Sequence, residues 1–320
     1  MCIRDSSDSG KSSVRAGAGW FSAGPFSEPV IFFNDIRRTD EQKGVFGELN
    51  IALSDTSELT VGARYYDIEV DFEGSANSSF GNGFGNPDEQ RFGSNLSVQY
   101  APGNENGYPD VAKSDGVIGK LTYSWNPSED VMYYFTWSEG FRPGLLNRPV
   151  GSSNADGSYT VKPEVDSDEI TNVEFGWKAI SQDGQLRFNG SIFNVDVEGL
   201  QSTIFDPSIV NLFFSDNAAN ATIKGVEGDF TYFTNVEGLS VAGAFSLLNT
   251  NIDEKLVPTN DVVVGGELAF APGHQGNLRV RQEIGMSGGN VGHIQVQYTF
   301  SDSSFSDIME PNKASQGSYS

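Results

Sequence analysis

Two residue types are nearly absent from this 320-residue chain, which has one cysteine and two histidines. A single cysteine, Cys2, excludes any disulfide within the chain. His274 and His293 lie far apart in sequence with no cysteine partner, so no zinc site is expected. Long apolar runs are missing as well. No segment approaches the ~18 apolar residues that a spanning helix needs, which excludes a membrane helix. It does not exclude a membrane barrel, whose strands carry a much weaker signal. No basic start followed by an apolar run marks a signal peptide. Basic residues are scarce too, with 20 Lys and Arg against 43 Asp and Glu and a net charge of −23. Nucleic acid, whose phosphates such a surface repels, is therefore excluded as a partner. The same surface suits solvation or the attraction of cations.

Apolar residues make up 37% of the chain. That is lean for a length that fits one large β domain or two ordinary ones. What the chain does have is 37 Gly, 23 Phe, 11 Tyr and 4 Trp, set in a period of two rather than 3.6. In VFGELNIAL, Val45, Leu49, Ile51 and Leu53 share one face while Glu48 and Asn50 take the other. ELTVGARYY sets Leu59, Val61, Ala63 and Tyr65 against Glu58, Thr60 and Arg64. VIGKLTYSW, NVEFGWKA, GVEGDFTYF, LSVAGAFSLL and GHIQVQYTF obey the same rule. One face of each strand is apolar and the other carries Glu, Asp, Lys and Gln, so that second face is wet. Both a soluble sandwich and a transmembrane barrel with a watery lumen are built this way.

Connection lengths separate the two. They run over residues 54–57, 73–116, 126–129, 140–168, 181–184, 202–220 and 235–238, short and long in strict alternation. Outer-membrane barrels sort their loops so, with tight turns on the periplasmic side and long loops outside. SDTS, NPSE and SQDG carry the residues of tight turns. Beyond about residue 252 the alternation blurs, and no side is assigned there. The expected fold is therefore all-β, an antiparallel transmembrane β-barrel, partial, with about 11 strands. In VMYYFTWSEGFRPG, Val131, Tyr133, Phe135 and Trp137 are expected to face lipid, and Met132, Tyr134, Thr136 and Ser138 the lumen. Residues 1–40 read as a loop or irregular segment, and residues 41–320 as the partial barrel. The opening MCIRDS differs in tone from the rest of the chain and is set aside as a candidate non-native start.

No arrangement of side chains signals catalysis. GNGFGNPDE precedes no helix, so it reads as a loop rather than a phosphate cradle. EVDSDE (residues 164–169) lacks the glycine and distal Glu of a calcium loop. No nucleophile constellation and no marked carboxylate pair is present, so a non-enzyme without cofactor or metal is expected.

Four stretches resemble, in order, the barrel of the TonB-dependent outer-membrane receptors. They are QKGVFGELNIALSDTSELTVGARYYDIEVDF, VMYYFTWSEGFRPG, KPEVDSDEITNVEFGWKAISQDGQLRFNGSIFNVDVEGLQ and NAANATIKGVEGDFTYF. The resemblance covers about residues 41–300. Nothing here is similar to the family's plug or TonB-contacting segment, and barrels of that kind have about 22 strands. A fragment lacking both ends is therefore expected, with unpaired sheet edges. The resemblance implies an outer-membrane receptor that actively imports a scarce nutrient, most simply a ferric siderophore or other iron complex. It also implies energy from the TonB system, contacted through the missing plug, and outer-membrane lipid as a partner. Cargo contacts would come from external loops, where Arg142, Tyr159 and Phe213 are candidate ligand-binding residues through charge and stacking. Each also fits the role of an ordinary loop anchor. Two alternatives stay open: a passive porin, and a secreted β-sandwich adhesin whose apolar faces would be buried against a second sheet.

Overall fold

The computed structural model describes residues 2–15, 30–78, 111–147, 159–162, 164–206 and 210–320. Side chains are described for residues 38–71, 111–147, 159–162, 164–205 and 214–320. Alternating strands joined by tight turns pair with their sequence neighbours, and one antiparallel sheet of 11 strands results. In order, its first members are β1 (Cys2–Arg15), β2 (Val30–Ser54), β3 (Ser57–Ser78), β4 (Val111–Ser128) and β5 (Val131–Arg142). It continues through β8 (Asp168–Ile180), β9 (Leu186–Asp206), β10 (Val210–Phe233), β11 (Leu239–Lys255), β12 (His274–Gly285) and β13 (Val291–Ser301). Between β5 and β8, β6 (Leu145–Leu146) and β7 (Glu164–Val165) pair as a separate two-stranded sheet. A second one, β14 (Ser304–Phe305) with β15 (Ser315–Gln316), comes after β13.

Three expectations about spans are adjusted. The segment read as an irregular start supplies, as backbone, β1 and the first part of β2, which pair with each other. The stretch 202–220 is not a loop over its whole length, because β9 and β10 run on through it and stay paired from Asp206 and Val210 downward. The sorting of connections also continues past residue 252. β11 and β12 are joined by the long segment 256–273, and β12 and β13 by the tight turn 286–290.

The register fixes what each face carries. Tyr133 stands opposite Trp125 and Trp177, Phe135 opposite Tyr123 and Phe175, and Trp137 opposite Leu121 and Val173. The same face continues through Ile192 and Val226 to Leu278, Val280, Val296 and Tyr298. Phe135 is 43% exposed and Val296 68%, and none of these residues belongs to either buried cluster. Among the described residues no second layer of protein covers this face, as a sandwich would require. On β4 the band runs from Val117 to Trp125, about 26 Å of strand at roughly 3.3 Å per residue. Tilted by about 40°, that strand spans about 20 Å, close to the ~25 Å apolar band of an outer-membrane barrel.

The buried cores lie elsewhere, at the end of the sheet with the long connections. On β3 the outward run Leu59, Val61, Ala63 and Tyr65 stops, and the apolar phase shifts by one residue to the buried Tyr66, Ile68 and Val70. Asp67, Glu69 and Asp71 then take the outward positions. The same shift occurs on β9 between Ile192 and Phe193, and on β11 between Leu247 and Leu248. Beyond these points the strands are apolar on the face that is polar lower down. External segments pack against it. One cluster joins Ile204, Phe214 and Ile252 of the strands to Val161, Val257, Val262, Ile308 and Met309 of the connections. A second joins Tyr66, Ile68, Val70 and Ala112 to Leu146.

Candidate functional site

The polar face is a ladder of hydrogen bonds between strands. Tyr134 Oη donates to Glu174 Oε1 at 2.5 Å, Thr122 and Thr136 join hydroxyls at 3.0 Å, and Asn189 Nδ2 donates to Asp229 at 3.1 Å. Met132, Tyr134, Thr136 and Ser138 occupy this face, opposite to Tyr133 and Phe135. The Tyr134 ring lies over Gly176, where an added Cβ would be 2.2 Å from the ring, so only glycine leaves room for it. Lys178, Ser191, Glu227 and Asp229 line a shallow cleft of about 350 Å³ beside Tyr134. This wall is wet, ordered and rich in acceptors.

Above the ladder, the described parts of the connection between β5 and β8, residues 143–147, 159–162 and 164–167, fold onto the same face. Arg142 closes β5, and its Nε donates to Asp168 Oδ2 at 2.9 Å while its backbone N–H donates to Asp168 Oδ1 at 3.1 Å. Its Nη2 bonds the same carboxylate and the Gln201 carbonyl, the latter at 3.0 Å. Asp168 is 2% exposed, whereas the Arg142 side chain is 52% exposed. The guanidinium thus sits half-exposed at the end of the sheet with the long connections, one side committed to Asp168. Gln201 Nε2 in turn donates to the carbonyls of Pro143 and Asp166, both at 2.9 Å.

Tyr159 packs beside the larger cluster, its ring 5.8 Å from that of Phe214, and its hydroxyl donates to Asp216 Oδ2. Burial, and then the neighbouring carboxylate, raise the Tyr159 phenol well above its ordinary value, so it remains a donor. Lys162 Nζ approaches Asp216 Oδ1 at 3.6 Å. Phe213 belongs to β10 by backbone, and its side chain lies outside the described residues. Arg142 and Tyr159 are thus both at the external end, each held by its own buried aspartate, and they do not touch one another in any described contact.

Sequence reasoning missed those aspartates together with Gln201 and Asn217. Asp168 sits in the acidic run EVDSDE, where nothing sets one carboxylate apart. Asp216 and Asn217 precede the buried Ala218 and Ala219, and that short run of small residues is the one signal of burial. The carboxylates of EVDSDE diverge: Asp168 faces Arg142, and Glu164 accepts from the Lys113 backbone N–H at 3.4 Å. Among the described residues no group of three or more His, Cys, Asp or Glu is placed to hold a metal ion. His274 lies on the outward face at the end of β12, 3.0 Å from Asp302, while His293 is on the opposite face of β13.

Known proteins share this architecture. A family model for "TonB dependent receptor-like, beta-barrel" matches residues 6–320. The fold is similar to the ferric yersiniabactin uptake receptor FyuA from Yersinia pestis, with a TM-score of 0.64 and 14% identity over 91% of this chain. It is also similar to the siderophore receptor PiuA from Acinetobacter baumannii, with a TM-score of 0.60 and 14% identity over 92% of this chain. The copper transporter OprC gives 0.59 and 12% identity over 92% of this chain. This chain spans 38%, 37% and 40% of those three chains, respectively. No curated protein matches.

Proposed function

Since the chain belongs to the TonB-dependent receptors of the bacterial outer membrane, as part of their β-barrel, we propose that the intact protein imports an iron complex of the ferric-siderophore type. The inner-membrane TonB system supplies the energy, delivered through the plug of the intact receptor. The observation that carries this reading is the pairing of a bare apolar face with a polar face roofed at one end by folded external segments. Hydrocarbon covers the first. The second lines a passage whose outer mouth has a defined shape, which a receptor for a specific cargo needs and a general pore does not. Similarity to receptors described as taking up ferric yersiniabactin and other siderophores supports iron as the metal. Cargo contacts fall to the rim, where Arg142 keeps half of its side chain exposed. Tyr159, whose ring packs beside Phe214, and Phe213, a residue of β10, are the further candidates for cargo contact.

The test is deletion of the full-length gene, with growth and uptake of radiolabelled ferric siderophores then measured under iron limitation. Uptake should fall on deletion and on loss of the TonB system alike. Uptake that persists without TonB, with steady ion conductance in planar bilayers, would instead establish a passive channel.

A further inference from the structure

The segments flanking β6 and β7 are tied to the mouth wall at several separate places. Their described parts, residues 143–147, 159–162 and 164–167, form a strap. At the near end, Ser114 Oγ accepts the Gly144 N–H and the Ser167 hydroxyl, each at 2.9 Å, so one β4 side chain holds both legs. In the middle, Asn147 brackets the β10 backbone, donating to the Ser215 carbonyl at 2.7 Å and accepting the Ser215 N–H at 2.8 Å. The Asp166 N–H donates to Asn217 Oδ1 at 3.0 Å, and Asn217 Nδ2 returns a bond to the Asp166 carbonyl at 2.9 Å. At the far end, Tyr159 and Lys162 meet Asp216.

The apolar side chains agree with the polar ones. Leu146, Val161 and Val165 are 6%, 5% and 0% exposed, values of core residues rather than loop residues. Leu146 belongs to the cluster on β3 and β4, and Val161 to the cluster on β9 to β11. The strap therefore joins two apolar clusters on different parts of the wall. Lifting it would bare both clusters and strand Asp216, which is 2% exposed, without its Tyr159 and Lys162 partners. Only the Asn217 N–H, at 2.9 Å, would remain to it, and a buried carboxylate short of donors is among the costlier defects a fold can carry.

We propose that this strap is a fixed part of the mouth wall, not a lid that lifts for cargo, and that Asp216 is the latch fastening its far end to β10. The passage for cargo then runs beside the strap, and its width on this side is set before any ligand arrives. The proposal does not depend on what the cargo is.

Amide hydrogen exchange on the full-length receptor in detergent tests it without any ligand. The Gly144 and Asp166 amides, held by Ser114 Oγ and Asn217 Oδ1, and the Ser215 amide of β10, held by Asn147 Oδ1, should exchange as slowly as the ladder-bonded amides of β10. Exchange of the Gly144 and Asp166 amides at the rate of an unstructured peptide, with β10 protected, would overturn the fixed strap. Asp216→Asn keeps the shape but removes the charge, and should speed exchange in residues 159–162 and 164–167 at least tenfold while β5 is unchanged. Tyr159→Phe removes one donor only and should act in the same direction by a smaller factor, which covers the case in which Asp216→Asn does not fold. Unchanged exchange at these residues in the folded variants would overturn Asp216 as the latch.

Discussion

A lysine placed at Phe135 separates a lipid-covered face from a water-covered one by the sign of its effect. Phe135 stands in the middle rows of the apolar band, between Tyr123 and Phe175, and is 43% exposed with no protein layer over it. If hydrocarbon lies against that exposed part, Phe135→Lys puts an ammonium near the bilayer midplane, at a cost of about 2–4 kcal/mol. That is a loss of roughly 30- to 900-fold in the folding equilibrium. If water lay there, replacing a surface phenyl by lysine would stay within about 0.5 kcal/mol of neutral. Thr136 is the internal control, one residue on and on the wet face, with its hydroxyl 3.0 Å from that of Thr122. Thr136→Lys forfeits one half-buried hydrogen bond, about 1 kcal/mol. The assay is urea unfolding of the full-length receptor folded into lipid vesicles, with stability taken by linear extrapolation. Equal, small effects of the two lysines would refute the assignment of faces and with it the membrane barrel.

The same geometry sets three further outcomes. Asp168→Ala leaves the Arg142 and Gln201 backbone N–H groups without their acceptor and should lower stability by about 2–4 kcal/mol, read as a fall in thermal midpoint with the band residues unaffected. Gly176→Ala sets a methyl 2.2 Å from the Tyr134 ring, displacing it from Glu174 at a cost of about 1–3 kcal/mol. In a Tyr134→Ala background the same change should cost well under half as much, which a double-mutant cycle checks. Asp183, in the tight turn 181–185, is held below its ordinary value of 3.8 by the Ser181 hydroxyl and then by the Gln185 N–H. Its contribution is present above that ordinary value and is lost as pH falls through the lowered one. Fraying of this turn by hydrogen exchange should therefore begin only below about pH 4, and Asp183→Asn should remove the pH dependence.

How much of this was legible depended on which solvent covers a residue. Inside the band, the alternation of Leu59, Val61, Ala63 and Tyr65 against Thr60 and Arg64 is a local pattern, because lipid and water are uniform media that ask for polarity and nothing else. The strands from residue 41 on, the two phases of β5, and the short turns could all be drawn from it. Above the band the cover is protein, and protein is specific. Nothing in EVDSDE says that Asp168, rather than Asp166 or Glu169, is the carboxylate turned to Arg142, since that choice depends on Gln201, more than thirty residues away. Nor does the run 202–220 reveal a paired hairpin, since its inward side is Ile204, Phe214, Ala218 and Ala219, and the residues covering them come from segments near 161, 257 and 309. Arg142 and Tyr159 were found because Arg and Tyr at a strand end or in a loop are conspicuous. Their aspartates were not, in a chain with so many acids.

The shift of apolar phase along single strands connects these two regimes. A strand has only two faces, and a one-residue change of phase moves its whole apolar set from one to the other. On β3 this happens between two adjacent tyrosines: Tyr65 looks outward at 47% exposure and Tyr66 inward at 7%. β9 and β11 change at Ile192/Phe193 and Leu247/Leu248, and in both the outward positions beyond turn to Asn and Asp. A soluble sheet has no cause to change its buried side part-way along three of its strands. A sheet passing from hydrocarbon into water does, because its outward face loses its apolar cover at that level while the inward face gains a roof of external segments. The change of phase is therefore what a sheet crossing the outer boundary of a membrane requires. It also explains why the strap packs onto the inward side: above that level, the inward face is where the strands present their apolar side chains.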